Sequence, residues 1–185
     1  MQYKLITFLI IILFITGCNP FAGSKNRTLH ISFHVNKKED IQPSYQIAIW
    51  LEKPDGTYVK TLFLCEYLSY GGFNDSTICP DWSGKANWNM VLKEEFDAVT
   101  GATPMIGDRS FVFNCPIEQI PAGKYKFLIE VHLIESFNEL YSGEIVIAGK
   151  ENETEAQVTY LPEKHSKAGD ILSNVKVKCN NINLK

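Results

Sequence analysis

The chain has 185 residues, a formal net charge of −3 and 45% hydrophobic residues, which suits one domain with a core of its own. Mild acidity and the lack of a basic patch exclude a nucleic-acid-binding surface. Tyr, Phe, Val, Ile and Thr dominate the apolar stretches, and these residues favour strands.

Met1 to Lys4 carries a positive start, and Leu5 to Ile15 is almost unbroken apolar sequence. That run is short for a bilayer span and has the length of a signal-peptide core. Ile15-Thr16-Gly17-Cys18 resembles the bacterial lipobox. The resemblance implies that residues 1–17 are a lipoprotein signal peptide and that the Cys18 sulfur receives lipid. The alternative is a plain signal peptide with an incidental cysteine. Asn19 stands where an inner-membrane retention signal often has Asp, so the outer membrane is favoured. The expected location is the cell envelope, lipid-anchored and facing the periplasm or the exterior. Residues 18–27 read as a lipidated tether, and 28–185 as the folded domain.

Thr28 to Val35 alternates apolar and polar residues, as a half-buried strand does. His30 and His34 sit on its polar face, about 13 Å apart at four residues of strand rise, too far to share one ion. Tyr45 to Glu52 and Tyr58 to Cys65 are further strands, joined by a hairpin at Asp55-Gly56. Glu66 to Asn89 reads as one long loop containing Trp82 and Trp88, and Met90 to Phe96 as a helical turn. Arg109 to Asn114, Lys124 to Glu135, Glu139 to Ala148, Glu155 to Leu161 and Ile171 to Cys179 complete the strands, with Gly149 to Glu153 as a polar turn. The fold class is all-β: an immunoglobulin-like antiparallel β-sandwich of about seven to nine strands with one long loop.

Apart from Cys18, the cysteines are Cys65, Cys79, Cys115 and Cys179. Four cysteines in an exported chain suggest disulfides, with three possible connectivities. Cys65 and Cys79 flank the first half of the long loop, and their link would stabilise by about 3 kcal/mol. The alternative is buried free thiols.

The order of features is informative. Tyr45 to Glu52, the Asp55-Gly56 turn and Val59 to Leu62 come first; Asp97-Ala98-Val99-Thr100-Gly101-Ala102-Thr103-Pro104 follows; Pro121-Ala122-Gly123-Lys124-Tyr125 then opens the longest strand. In this the chain resembles a predicted-periplasmic family known as domain of unknown function 2271, remotely similar to the immunoglobulin-like part of the flagellar hook-cap protein. The resemblance covers residues 28–149 and leaves 150–185 as a C-terminal extension.

The central stretch also resembles the acceptor pattern of bacterial FMN transferases, Asp-x-x-Ser/Thr-Gly-Ala-Ser/Thr. It matches at Asp97, Thr100, Gly101, Ala102 and Thr103. The resemblance implies covalent FMN on Thr103, with Trp82, Trp88 or Tyr70 available to stack on the ring. A threonine hydroxyl is a poor nucleophile without a base, so a separate FMN transferase must activate it. The flavin would carry the redox chemistry and hand electrons to a redox partner protein. Pro104 and Met105 depart from the usual continuation of the pattern. The other reading of the stretch is a tight turn whose Asp and Thr side chains satisfy local backbone groups.

Enzyme motifs such as G-x-S-x-G, the P-loop and H-E-x-x-H are missing, so the chain is expected not to be an enzyme. Glu130 and His132 share one strand face without a visible nucleophile. Glu94, Glu95, Asp97 and Asp108 are either a cation site or a solvated acidic surface; no metal is expected. The expected function is a membrane-anchored redox carrier bearing FMN. The alternative is a cofactor-free binding or assembly module of the envelope, using the sandwich edge and the long loop.

Overall fold

The computed structural model describes residues 27–148 and 150–181. The signal peptide at 1–17, Cys18 and the tether up to residue 26 lie outside the described residues. Among the described residues, ten strands form two sheets. They are β1 (Arg27–Val35), β2 (Gln46–Glu52), β3 (Tyr58–Cys65), β4 (Thr100–Gly101), β5 (Gly107–Asn114), β6 (Gly123–Ile134), β7 (Phe137–Ile147), β8 (Asn152–Glu155), β9 (Gln157–Leu161) and β10 (Leu172–Asn181). One sheet has the order β5-β1-β10-β8, the other β4-β3-β2-β6-β7-β9. Every pairing is antiparallel except β3 with β4. The all-β sandwich therefore stands, with ten strands in place of seven to nine; β4 and the division of β8 from β9 make the difference.

The alternation in β1 does what its period requires. Leu29, Ile31, Phe33 and Val35 are buried, while Ser32 faces solvent. The β2–β3 hairpin also closes as its Asp55-Gly56 pair demands. Gly56 takes φ +87°, and Thr57 N–H donates to Asp55 Oδ1 at 3.0 Å.

β2 and β6 behave differently. Ile47 to Glu52 and Phe127 to Leu133 are buried at every position, so these strands are covered on both faces. The second cover is the segment expected to be a long loop. It is helical: α1 (Glu66–Ser69), a 3₁₀ turn (Gly72–Asn74), α2 (Pro80–Ala86), another 3₁₀ turn (Trp88–Met90) and α3 (Lys93–Val99). Each piece is too short to be stable alone. Packing holds them instead, with Trp82 and Trp88 buried and their rings 5.6 Å apart. Pro80 starts α2 at its first position, where a missing N–H costs nothing.

Two boundaries move. Arg27, read as the last tether residue, opens β1 and is 2% exposed; its guanidinium donates to Ile147 O at 3.0 Å and Ile120 O at 2.5 Å. The supposed C-terminal extension supplies β8 from Asn152, part of the expected turn, and β10, which pairs with both β1 and β8.

Candidate functional site

The Asp97–Thr103 stretch runs off the end of α3, through β4, onto the rim of the six-stranded sheet. Asp97 is exposed on the last turn of α3 and pairs with Lys93 one turn earlier, Nζ to Oδ2 at 2.5 Å. Thr100 is half-buried. Its hydroxyl reaches Phe96 O at 2.7 Å and Ser69 Oγ at 2.9 Å, which ties α3 to α1. Gly101 pairs with Cys65 in parallel register and lies against the Phe63 ring. A Cβ there would sit 2.6 Å from Phe63 Cε2, so a side chain is excluded by close approach. Ala102 is exposed, Thr103 half-buried and Pro104 buried. Thr103 neighbours the Cys65 thiol.

The three aromatic candidates separate by burial. Trp82 and Trp88 are 0% and 4% exposed, and both indole N–H groups are engaged, with Thr61 Oγ1 at 3.0 Å and Ser69 O at 3.2 Å. They belong to the core of the covering segment. Tyr70 is 72% exposed and meets Phe96 edge-on, ring centroids 5.0 Å apart. Phe96 precedes the Thr100 turn, so Tyr70 is the candidate that stays available beside the motif.

All four cysteines of the folded domain are buried free thiols. The expected Cys65–Cys79 link is not formed here. Both sulfurs lie against the start of β2 but are otherwise engaged. Cys65 Sγ is 2.7 Å from Gln46 Oε1, while Cys79 Sγ contacts Gln46 O and Glu130 O at 3.7 and 3.6 Å. Burial raises all four thiols, Cys79 well above its ordinary value and Cys115 to about 11. Protonated thiols of this kind are poor nucleophiles.

The acidic candidates do not converge. Asp97 is held by Lys93, and Asp108 by His34 Nδ1 at 2.7 Å. Among the described residues there is no group of three His, Cys, Asp or Glu placed to hold a metal ion. The half-exposed His30 sits on the same strand as His34.

Buried polar groups lie between the six-stranded sheet and its helical cover, among them Glu130 and His132, which the sequence placed on one strand face, and Glu52, which it did not single out. Glu52 is buried and accepts from Trp50 Nε1 at 2.8 Å and Lys85 Nζ at 2.6 Å. Glu130 accepts the N–H groups of Trp82 and Asp81 at 2.9 and 3.3 Å, and burial pushes its carboxyl up to about 8. His132 gains the hydroxyl partner that its own strand lacks: Ser44 Oγ, from the segment leading into β2, is 2.6 Å from Nδ1. Eighty-eight residues separate the two in the chain, so no local motif links them. On the opposite face, buried Glu139 accepts from Tyr141 Oη and from the N–H groups of Asp170 and Ile171, fastening β7 to the entry of β10.

The model of the family described as predicted periplasmic protein (DUF2271) matches residues 28–161, from β1 to the end of β9. That is twelve residues beyond the end expected from the sequence, and it takes in β8 and β9. Neither the curated proteins nor the solved structures compared with the chain give a significant match. The family's description supports a periplasmic location. The matched span covers well over half of the chain, and the chain therefore belongs to the DUF2271 family of predicted periplasmic proteins.

Proposed function

We propose that this protein is a lipid-anchored envelope protein that carries FMN as a phosphoester on Thr103 and serves as a non-enzymatic redox carrier. The observation behind this reading is the contrast between two hydroxyls. Thr100, half-buried, is locked between Phe96 O and Ser69 Oγ. Thr103 follows the exposed Ala102 at the rim, beyond the last pairing of β4. Of the two, the residue that the pattern makes the acceptor is the one outside that lock. The residues fit the group in a further respect: Tyr70 offers an exposed ring next to the motif. When bound, the flavin supplies the redox chemistry, and the chain supplies attachment and orientation. The anchor is the lipid on Cys18.

Co-expression with an FMN transferase tests the carrier. Wild type gains the mass of one phosphoester-linked FMN, and Thr103→Val gains none. Thr100→Ser keeps the addition and Asp97→Asn lowers it. A folded wild type without added mass, beside a transferase that modifies a control substrate, refutes the carrier. For the anchor, radiolabelled palmitate enters wild type and not Cys18→Ala; equal labelling of the two refutes it.

A second reading has its own observation. Tyr67, Tyr70, Met90 and Leu92 are all exposed large apolar residues of the helical cover. Such groups suit a cofactor-free binding or assembly module, and this reading leads if Thr103 stays unmodified.

A further inference from the structure

Ser44 lies two residues before the start of β2, half-exposed, and its N–H donates to Leu133 O at 2.7 Å. This bond pins it against the end of β6, beside His132. His132 is buried, and its Nε2 is 2.9 Å from Glu135 O. A carbonyl oxygen has no proton to give, so Nε2 carries it. In the neutral ring Nδ1 is then a bare acceptor, facing Ser44 Oγ at 2.6 Å. Hydroxyl, imidazole base and a carbonyl orienting the base are the parts of an activated serine.

Two independent features flank this arrangement. Tyr45, next to Ser44, has φ +55°, and Glu135, whose carbonyl holds His132, has φ +53°. Both are left-handed conformations that such residues rarely adopt, and strain of this kind gathers at functional sites. The Gln46 N–H donates to Ser44 Oγ at 3.3 Å, a local turn bond that fixes the position of the hydroxyl. Tyr45 also lines a cleft of about 470 Å³ together with Ile41, Gln42 and Ile106.

From this geometry we infer that Ser44 is a nucleophile for acyl transfer from carboxylic esters, with His132 as its base, at a site separate from Thr103. Ser44 Oγ bonds to the ester carbonyl carbon and its proton passes to His132 Nδ1. The bond from that carbon to the alcohol oxygen breaks, and the alcohol leaves with the proton. The acyl group stays on Ser44. Water then attacks the same carbon, giving its proton to Nδ1, and the carboxylic acid is released as Ser44 recovers a proton. No oxidant, reductant or further co-reactant is needed.

A purely structural pair would leave Ser44 bonded to His132 O, which lies 3.0 Å away, and unreactive. A fluorophosphonate probe separates the two cases, since the Oγ–P bond forms only as the P–F bond breaks and fluoride leaves. Folded wild type is expected to take one label, mapped by peptide mass spectrometry to Ser44. Ser44→Ala takes none, and Thr103→Val labels like wild type. His132→Gln, folded by circular dichroism, labels at least about 100-fold more slowly, the usual share of a positioned base. Urea-unfolded wild type stays unlabelled, a comparison that does not depend on how the variant folds. The inference is overturned if folded wild type stays unlabelled or if the label falls on other residues. Equal rates for His132→Gln, or for the unfolded chain, overturn it as well.

Discussion

Glu130 sits with 0% exposure in the middle of β6, and its two oxygens accept the first N–H groups of α2. Burial moves its carboxyl from 4.5 to about 8, against the pull of those donors and of Lys85. The consequence for stability has a definite sign. Between those values the folded chain holds a proton that the unfolded chain has lost. The contribution is therefore complete below about pH 4.5, is lost as pH rises towards 8, and is level above that. Glu130→Gln is neutral at every pH and removes this share of the dependence. Urea midpoints measured from pH 5 to 9 are expected to fall with pH more steeply in wild type than in the variant. Parallel curves would show that the carboxyl does not titrate in this window. At the same scale, the local roles of the rim residues are partly visible in sequence. Gly101 is legible as a member of the motif, but its close approach to Phe63 is decided by β3.

The element that changes the picture is the helical cover over residues 66–99. Its attachment runs through side chains of the sheet beneath it. Asn138, at the start of β7, accepts Cys79 N–H at 3.1 Å and donates to Thr77 O at 2.9 Å and Ser136 O at 3.2 Å. It is buried, so Asn138→Ala leaves the Cys79 N–H and the Thr77 carbonyl without their partner. Destabilisation of about 2–4 kcal/mol follows from the lost bonds and the stranded groups. Hydrogen exchange is expected to locate it, with amides from Ile78 to Ser83 losing more protection than those of β2 and β6. Uniform loss across the sheets would mean that the cover and the sandwich open together. Without the cover, the outer sides of Trp50, Glu52 and Glu130 would face water, and β2 would lose its burial on both faces.

At the scale of the whole molecule there are three layers: a four-stranded sheet, a six-stranded sheet, and the helical cover on its far face. The family match ends at Leu161, but the four-stranded sheet does not close without β10. β10 pairs with β1 through eight registered positions and with β8 through four, and buries Leu172, Val175, Val177 and Cys179. A chain ending at residue 161 would strand the inner faces of β1 and leave β8 without a neighbour in its sheet. That truncation is expected to show no cooperative urea unfolding, whereas the full domain shows one transition. A truncated chain with a sharp transition would make β10 an addition to an already complete core.

The identity of most strands, though not of β4 or β8, was determined by sequence alone, because alternation and turn residues act over a few positions. β1, the Asp55-Gly56 hairpin and β3, whose expected and observed bounds coincide, are local facts of this sort. The domain's β class and its family resemblance rest on the same short-range pattern. Tertiary structure decided everything that joins distant positions. It turned the Glu66–Asn89 stretch into helices, since pieces of four and seven residues form only when Trp82 and Trp88 have a sheet to pack on. It placed β10 between β1 and β8, and it brought Ser44 to His132 across 88 residues of chain. These outcomes depend on which buried polar groups find partners, and a partner far away in the chain leaves no mark on the residues nearby.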